Sequence, residues 1–292
     1  MKTIVAATDF SAWAHYALER AAQIARASGA ELHLLYVPNQ GLWSQGTGMF
    51  SHYFGSGNTP TLEADRDRLQ QAAAALARRF RVKAQCHVVP GRPAAEISSF
   101  ATARDADLVV LATRGEGGLR VGTLGSTALK VSWQSLVPVL LVRQPTETAY
   151  QKLLVATDLS ERSLHVCRTA CERFPKASVA LVHAFRAEFE TALELAGADT
   201  TALRQYKADE GEAAAERLKA FWSDSQEGGR RRAQRFLVHS HPVPAVAKAA
   251  AELKPDLVVL GKHSGPRWEE LVLGSVVQNL LQQLKTDVLI VP

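Results

Sequence analysis

The chain has 292 residues, 47% of them apolar and 22% charged, with a net charge of +5. That balance is globular. It excludes a strongly basic nucleic-acid surface, and no apolar run approaches the roughly 20 residues of a membrane-spanning helix. Three cysteines do not make a disulfide framework and fit a reducing, cytoplasmic setting. The basic clusters Arg78-Arg79-Phe-Arg81 and Arg230-Arg231-Arg232 read as solvated ends of helices or loops.

Taken in order, residues 3–8 form a short apolar strand of the buried kind, starting too close to an acid to be a leader peptide. Asp9-Phe-Ser11 follows. Ser11 is a suitable cap for a helix to residue 27, and Gly29 is its stop. Residues 32–37 are the second strand, halted by Pro38. Residues 39–60 are rich in Gly, Ser and aromatics and lack periodicity. The expectation there is a lid, a contact surface or a mobile loop. A helix over residues 61–79, a strand over 83–89, a Pro-Gly turn and a helix over 94–104 come next. Then comes Asp107-Leu-Val-Val-Leu-Ala-Thr-Arg-Gly115, nine residues, and Gly125-Ser126 opening an amphipathic helix. Residues 139–142 close the series as a strand.

The same series then repeats. Asp9 and Asp158 are 149 residues apart, as are Pro93 and Pro242, Asp107 and Asp256, Gly125 and Gly274, and Val139 and Val288. A constant offset over five landmarks implies a duplicated unit of ordinary domain size. The expected domains are 1–146 and 150–292, with a polar, proline-containing junction at residues 144–150. In the second half the strands fall at 152–157, 179–184, 235–239 and 288–291, with a helix at 243–254. The second glycine segment reads Asp256-Leu-Val-Val-Leu-Gly-Lys-His-Ser264, nine residues, Gly274-Ser275. Strands alternating with helices predict, for each half, an α/β fold: a five-stranded, mostly parallel sheet with helices on both faces.

Ligands of such sheets sit at the carboxyl ends of the strands. Asp9 and Asp158 end the first strand of each half, and the glycine loops follow the fourth. If those strands are neighbours, each aspartate faces its loop. The aspartate can accept hydrogen bonds from a base or a ribose, and the loop and helix start can hold phosphate. The plainer alternative is that the aspartates cap helices and each Gly-Ser pair only starts one. Cys167 and Cys171, at i, i+4, read as core thiols, and His239 and His241 as incidental rather than metal-ligating. No triad or nucleophile-elbow pattern occurs, so catalytic residues are not expected.

Ala-Thr-Asp9-Phe-Ser, Ala-Thr-Asp158-Leu-Ser, Leu124-Gly-Ser126 and Leu273-Gly-Ser275 resemble the motifs of universal stress proteins. The resemblance spans nearly the whole chain, twice. It implies two tandem Rossmann-like domains of the adenine nucleotide alpha-hydrolase type. It also implies ATP as ligand, with or without Mg2+, and a cytoplasmic stress-response role exercised through ligand-dependent association. Carried over by position, the first site comprises Thr8, Asp9, Val37, Arg114, Gly115, Gly125, Ser126 and Thr127. The second comprises Thr157, Asp158, Ala184, Gly261, His263, Gly274, Ser275 and Val276. The family motif is incomplete in each half. Ala112 stands for the first glycine in one, and Ser264 for the second glycine in the other. Both replacements are small. The first half keeps the phosphate-side glycine, Gly115, with Arg114 beside it, whereas Pro266 and Trp268 stiffen the second loop. The resemblance further implies that residues 139–142 and 288–291 pair as an intrachain pseudo-dimer, with a homodimer as a further option. The competing reading is a nucleotide-independent scaffold with vestigial clefts, and a third is an enzyme of the related alpha-hydrolase type.

Overall fold

In the computed structural model, residues 1–38, 62–115, 124–145, 148–187, 189–190, 195–196, 199–225, 231–262 and 274–292 are described. The expectation of a lid or mobile loop at 39–60 lies outside them. The chain divides into two compact units, Met1–Ala149 and Tyr150–Val291.

The first unit runs β1 (Thr3–Thr8), α1 (Ala12–Ser28), β2 (Glu31–Tyr36), α2 (Leu62–Phe80), β3 (Ala84–Val88), α3 (Pro93–Thr102), β4 (Leu108–Ala112), α4 (Ser126–Gln134) and β5 (Val139–Val142). Its strands lie in the order β3-β2-β1-β4-β5, and every described pair is parallel. The chain starts in the middle of the sheet, winds outward to β3, then crosses back to β4. The strand order therefore reverses between β1 and β4, which is where a cleft opens in such folds. Helices α1 and α2 pack together, as do α3 and α4. That pairing covers both faces of the sheet, as parallel strands with right-handed crossovers require.

The second unit repeats the plan: β6 (Lys152–Thr157), α5 (Glu161–Arg173), β7 (Ser178–Phe185), α6 (Thr200–Ser225), β8 (Ala233–His239), α7 (Pro242–Leu253), β9 (Leu257–Gly261), α8 (Ser275–Gln283) and β10 (Asp287–Val291). Its order is β8-β7-β6-β9-β10, again with parallel pairs. The central strands read as continuous apolar runs because both faces are covered. Val109, Val110, Leu140, Leu154 and Val259 have no exposed surface.

Local chemistry explains several boundaries. Gly29 closes α1 at φ 71°, and its N–H reaches the Ala25 carbonyl. Pro93 and Pro242 sit in the first turn of α3 and α7, where a missing N–H costs nothing. The repeated aspartates before β4 and β9 have a structural role. Asp107 accepts the N–H groups of Lys2 and Thr3. Asp256 accepts those of Gln151 and Lys152 at 2.8 and 2.9 Å. Each pins the start of its unit's first strand to the neighbouring strand.

The basic clusters lie at element ends with Arg78, Arg79, Arg81 and Arg232 exposed, as the sequence suggests, and two of their arginines are also anchored. Arg79 pairs with the buried Glu19 of α1. Arg231 donates to the Phe174 carbonyl at 3.2 Å, while its own carbonyl accepts from the Trp222 indole at 3.0 Å. Linear charge runs do not reveal such anchors, because the partners are distant in sequence. Strand β8 also begins at Ala233, two residues before the expected start. The thiols behave as expected of core residues. Cys167 is fully buried, and its hydrogen bond with Cys171, together with burial, pushes its pKa far up. Among the described residues no helix is long and apolar enough to cross a membrane.

Candidate functional site

At the carboxyl end of β1 the chain makes a compact turn. The Thr8 hydroxyl accepts the Phe10 N–H at 2.9 Å, and Asp9 Oδ1 accepts the Ser11 N–H at 3.0 Å. Ser11 Oγ then accepts the Ala14 N–H at 3.1 Å and caps α1. The second unit builds the same turn. Thr157 takes the Leu159 N–H at 2.9 Å, Asp158 takes the Ser160 N–H at 3.0 Å, and Ser160 caps α5 through Ser163. Phe10 and Leu159 both occupy the left-handed region, at φ 62° and 66°. For a residue with a Cβ this costs on the order of 1 kcal/mol or more. The left-handed position recurs in both copies of the turn, as another does at Asp105 and Lys254 in the helix-to-strand connections. The serines are thus the caps, and the aspartates order the turn ahead of them.

In the first unit the glycine segment after β4 meets this turn at Gly115. Strand β1 lies beside β4, and β6 beside β9. An added Cβ on Gly115 would stand 2.3 Å from Asp9 Oδ2, so the Asp9 carboxylate rests against the bare glycine backbone. Gly125 N–H donates to the Thr113 carbonyl at 2.7 Å, and Gly274 N–H to that of Lys262 at 3.4 Å. Both glycines precede their helices in extended geometry, with no side-chain cap. The first-turn N–H groups of α4 and α8 are therefore not met by a capping side chain, the arrangement that favours an anion at a helix N-terminus.

The remaining expected residues fall as follows. Thr8, Thr157 and Val37 are buried, and Ala184 is half-buried near the end of β7. Ser126 and Ser275 are exposed at the first position of their helices, with Thr127 and Val276 half-buried behind them. Gly261 ends β9. Arg114 is half-exposed, and its guanidinium lies 4.9 Å from the centre of the Trp13 ring. His263 and Ser264 lie outside the described residues.

The two sites differ in electrostatics. Asp158 is exposed at the surface, and its Oδ1 also takes the hydroxyls of Ser160 and Ser163, at 2.5 and 2.6 Å. Desolvation opposes its charge, yet these hydrogen bonds prevail and hold its carboxyl below the usual range. At the position of Ser163 the first unit has Ala14. Lys262 replaces Thr113 at the root of the second loop. It is buried, and that burial lowers its pKa.

Sequence reasoning missed an arginine on the second helix of each unit. The Arg68 guanidinium lies 4.2 Å from the centre of the Phe10 ring, which packs on Tyr36 at 4.6 Å. Arg217, at the same 149-residue offset, bears on His183, whose Nδ1 is 2.9 Å from the Thr157 carbonyl. The repeat offset was the available signal. Beyond β7 and β8 lies a cavity of about 960 Å³ lined by Arg186, Arg217, Glu190, Glu210, His239 and His241. Its two arginines and two glutamates select no ligand charge. Glu190 bridges Lys207 at 2.5 Å and His239 at 2.8 Å, and the Lys207 bond is the main reason its carboxyl titrates low. His241 accepts the Val243 N–H and caps α7. Both histidines thus have structural partners. Among the described residues no cluster of three or more His, Cys, Asp or Glu side chains could hold a metal ion.

The sequence profile described as the universal stress protein family matches residues 1–143 and again 149–292. The chain belongs to the universal stress protein family. It is 32% identical to universal stress protein MJ0531 of Methanocaldococcus jannaschii over 148 residues, which are 49% of this chain and 83% of that protein. It is 31% identical to universal stress protein YxiE of Bacillus subtilis over 48% of this chain and 97% of that protein. Each relative therefore corresponds to about half of the chain, as expected for two universal stress protein domains in tandem. Among solved structures, a universal stress protein from Archaeoglobus fulgidus superposes with a TM-score of 0.67 at 15% identity, covering 99% of this chain and 97% of that one. That likeness extends the fold to the whole tandem chain. Universal stress proteins are generally not catalytic enzymes.

Proposed function

We propose that this tandem universal stress protein binds an adenine nucleotide, ATP with or without Mg2+, and acts by ligand-dependent association. The carrying observation is the first-unit cleft, where the Asp9 carboxylate lies against Gly115 and Gly125 opens α4 without a side-chain cap. Asp9, with the Thr8 and Val37 backbone, would receive the base and ribose. Gly115, Gly125, Ser126 and Thr127 would receive phosphate, and Arg114 would add charge. Thr157, Asp158, Ala184, Gly261, His263, Gly274, Ser275 and Val276 would serve a second, weaker site. Pairing of residues 139–142 with 288–291 as a pseudo-dimer, the assignment of domains to 1–146 and 150–292, and a cytoplasmic setting belong to the same reading.

One observation favours a nucleotide-independent scaffold. Asp158 Oδ1 already takes three donors from its own turn, so this oxygen needs no ligand to satisfy it. Mass spectrometry of the small molecules released from freshly purified, denatured protein separates the readings. Nucleotide at one or two per chain supports the proposal, and Gly125→Val and Gly274→Val then assign the sites, with thermal melts as the folding control. Absence of nucleotide, together with no heat of binding when ATP·Mg2+ is added back, refutes it in favour of the scaffold.

A further inference from the structure

His33 lies on β2 and His87 on β3, the outer strand of the first unit's order. The register places Leu35 opposite His87, so the two imidazoles are diagonal neighbours on one face of the sheet. His33 Nδ1 and His87 Nε2 are 3.1 Å apart, and His33 is only 6% exposed. Phe100 of α3 covers both rings, with centroids 4.9 Å from His87 and 6.3 Å from His33. The Arg104 guanidinium sits 3.6 Å from the centre of the Phe100 ring. Two charged groups bear on the pair. Arg104 opposes a proton on either ring, and Glu31, 3.8 Å from His33 Nε2, favours one on His33.

The second unit supplies an internal comparison. Its register puts Ala180 and Phe236 where the first unit has His33 and His87. At the 149-residue offset, Ala249 and Leu253 replace Phe100 and Arg104. The same fold thus fills this position without ionisable groups. The buried His33, beside the half-buried His87, must keep its hydrogen bond to avoid a desolvation penalty, which an apolar filling never faces. Packing alone does not call for the histidines.

We propose that the His33–His87 pair is an acid-responsive latch that holds β3 to β2 beneath α3 while at least one ring is neutral. With both rings neutral, one N–H donates to the other ring's lone pair. A singly charged pair keeps that bond. A second proton removes the last lone pair and leaves two cations in contact beside Arg104. The segments after β2 and β3 are joined by Val89 N–H to the Tyr36 carbonyl at 3.0 Å and by Gly91 N–H to the Pro38 carbonyl at 3.1 Å. Release of the latch therefore loosens the chain around Val37. The latch stands whether or not nucleotide binds.

Burial first, and Arg104 next, lower the pKa of both histidines, in support of this geometry. The unfolded chain then takes up protons before the folded one. The pair's contribution to the stability of the first unit is fully present above about pH 6.5 and falls as pH drops below that value.

Hydrogen exchange of the full chain at pH 7.5 and 5.5, corrected for intrinsic rates, tests the proposal. Protection in β2, β3 and α3 should fall about tenfold more in the wild type than in the double variant His33→Ala/His87→Phe, which installs the second unit's residues; that is the change one differential proton produces over one pH unit. Protection in β7, where burial also lowers the His183 pKa, should fall equally in the two proteins. Equal losses from β2, β3 and α3 in the wild type and the double variant would overturn the proposal. If the variant does not fold, the wild-type histidine C2 protons decide by NMR. Two coupled steps below the ordinary range uphold the latch, and two independent titrations near pH 6.5 refute it.

Discussion

The contact between Asp9 and Gly115 can be tested by adding one methyl group. In Gly115→Ala the new Cβ would stand 2.3 Å from Asp9 Oδ2, about 1 Å short of the 3.4 Å at which ordinary contact begins. The backbone at Gly115 is not in the left-handed region, so the methyl group itself is tolerated there and the clash is the main cost. Relief requires the carboxylate to swing away and give up the Ser11 N–H, 3.0 Å from Oδ1. A hydrogen bond to a charged acceptor contributes about 1.5–3 kcal/mol. Asp9 is half-exposed, so water recovers part of this, and a loss of about 1–2 kcal/mol is expected. For a domain of this size that lowers Tm by roughly 2–8 °C. A double-mutant cycle with Asp9→Ala isolates the contact. Once the carboxylate is gone, Gly115→Ala should cost nothing further, because nothing remains to be displaced. Thermal melts of the four proteins provide the reading. Costs that simply add, or a Gly115→Ala protein as stable as the wild type, would refute the packing of Asp9 on Gly115.

Asp256→Ala removes the acceptor of two backbone N–H groups at the start of β6, and should cost about 1 kcal/mol per bond in urea melts. Asp107→Ala should have a similar effect on the first unit. The depressed Asp158 carboxyl contributes stability that is present above the usual carboxylate range and lost as pH falls through its folded value. Ser163→Ala should raise that titration point toward the ordinary one, read from the Asp158 side-chain carbon by NMR. An unmoved titration would mean that the Ser163 hydroxyl does not hold the carboxylate. Iodoacetamide at neutral pH should leave Cys167 unmodified until the second unit unfolds, because the thiol is fully buried and its pKa is pushed up. Labelling of Cys167 in the native protein, seen by peptide mass, would contradict this placement.

Much of the fold was legible because the relevant signals are local or periodic. Continuous apolar runs marked the central strands, Ser11 and Gly29 marked the ends of α1, and the 149-residue offset exposed the duplication. The Gly-Ser pairs start helices as their local chemistry dictates. Sequence alone left open whether each aspartate merely caps a helix, since an acid followed two residues later by serine suits either role. The structure resolves the local part: the serines cap, and the aspartates order a strained turn.

What only the tertiary structure decided depends on contacts between residues far apart in the chain. Asp9 meets Gly115 because β1 and β4 are neighbours, although more than a hundred residues separate them. Arg68 reaches Phe10 from α2, and Arg79 reaches Glu19, because α1 and α2 pack together. His33 and His87 meet because β2 and β3 pair in one register, and a shift of one residue would turn one ring to the opposite face. The sequence by itself determined the duplication, the α/β succession and the places where helices begin. It could not determine which polar groups would share a burial site, because that depends on strand order and register, which no local pattern encodes.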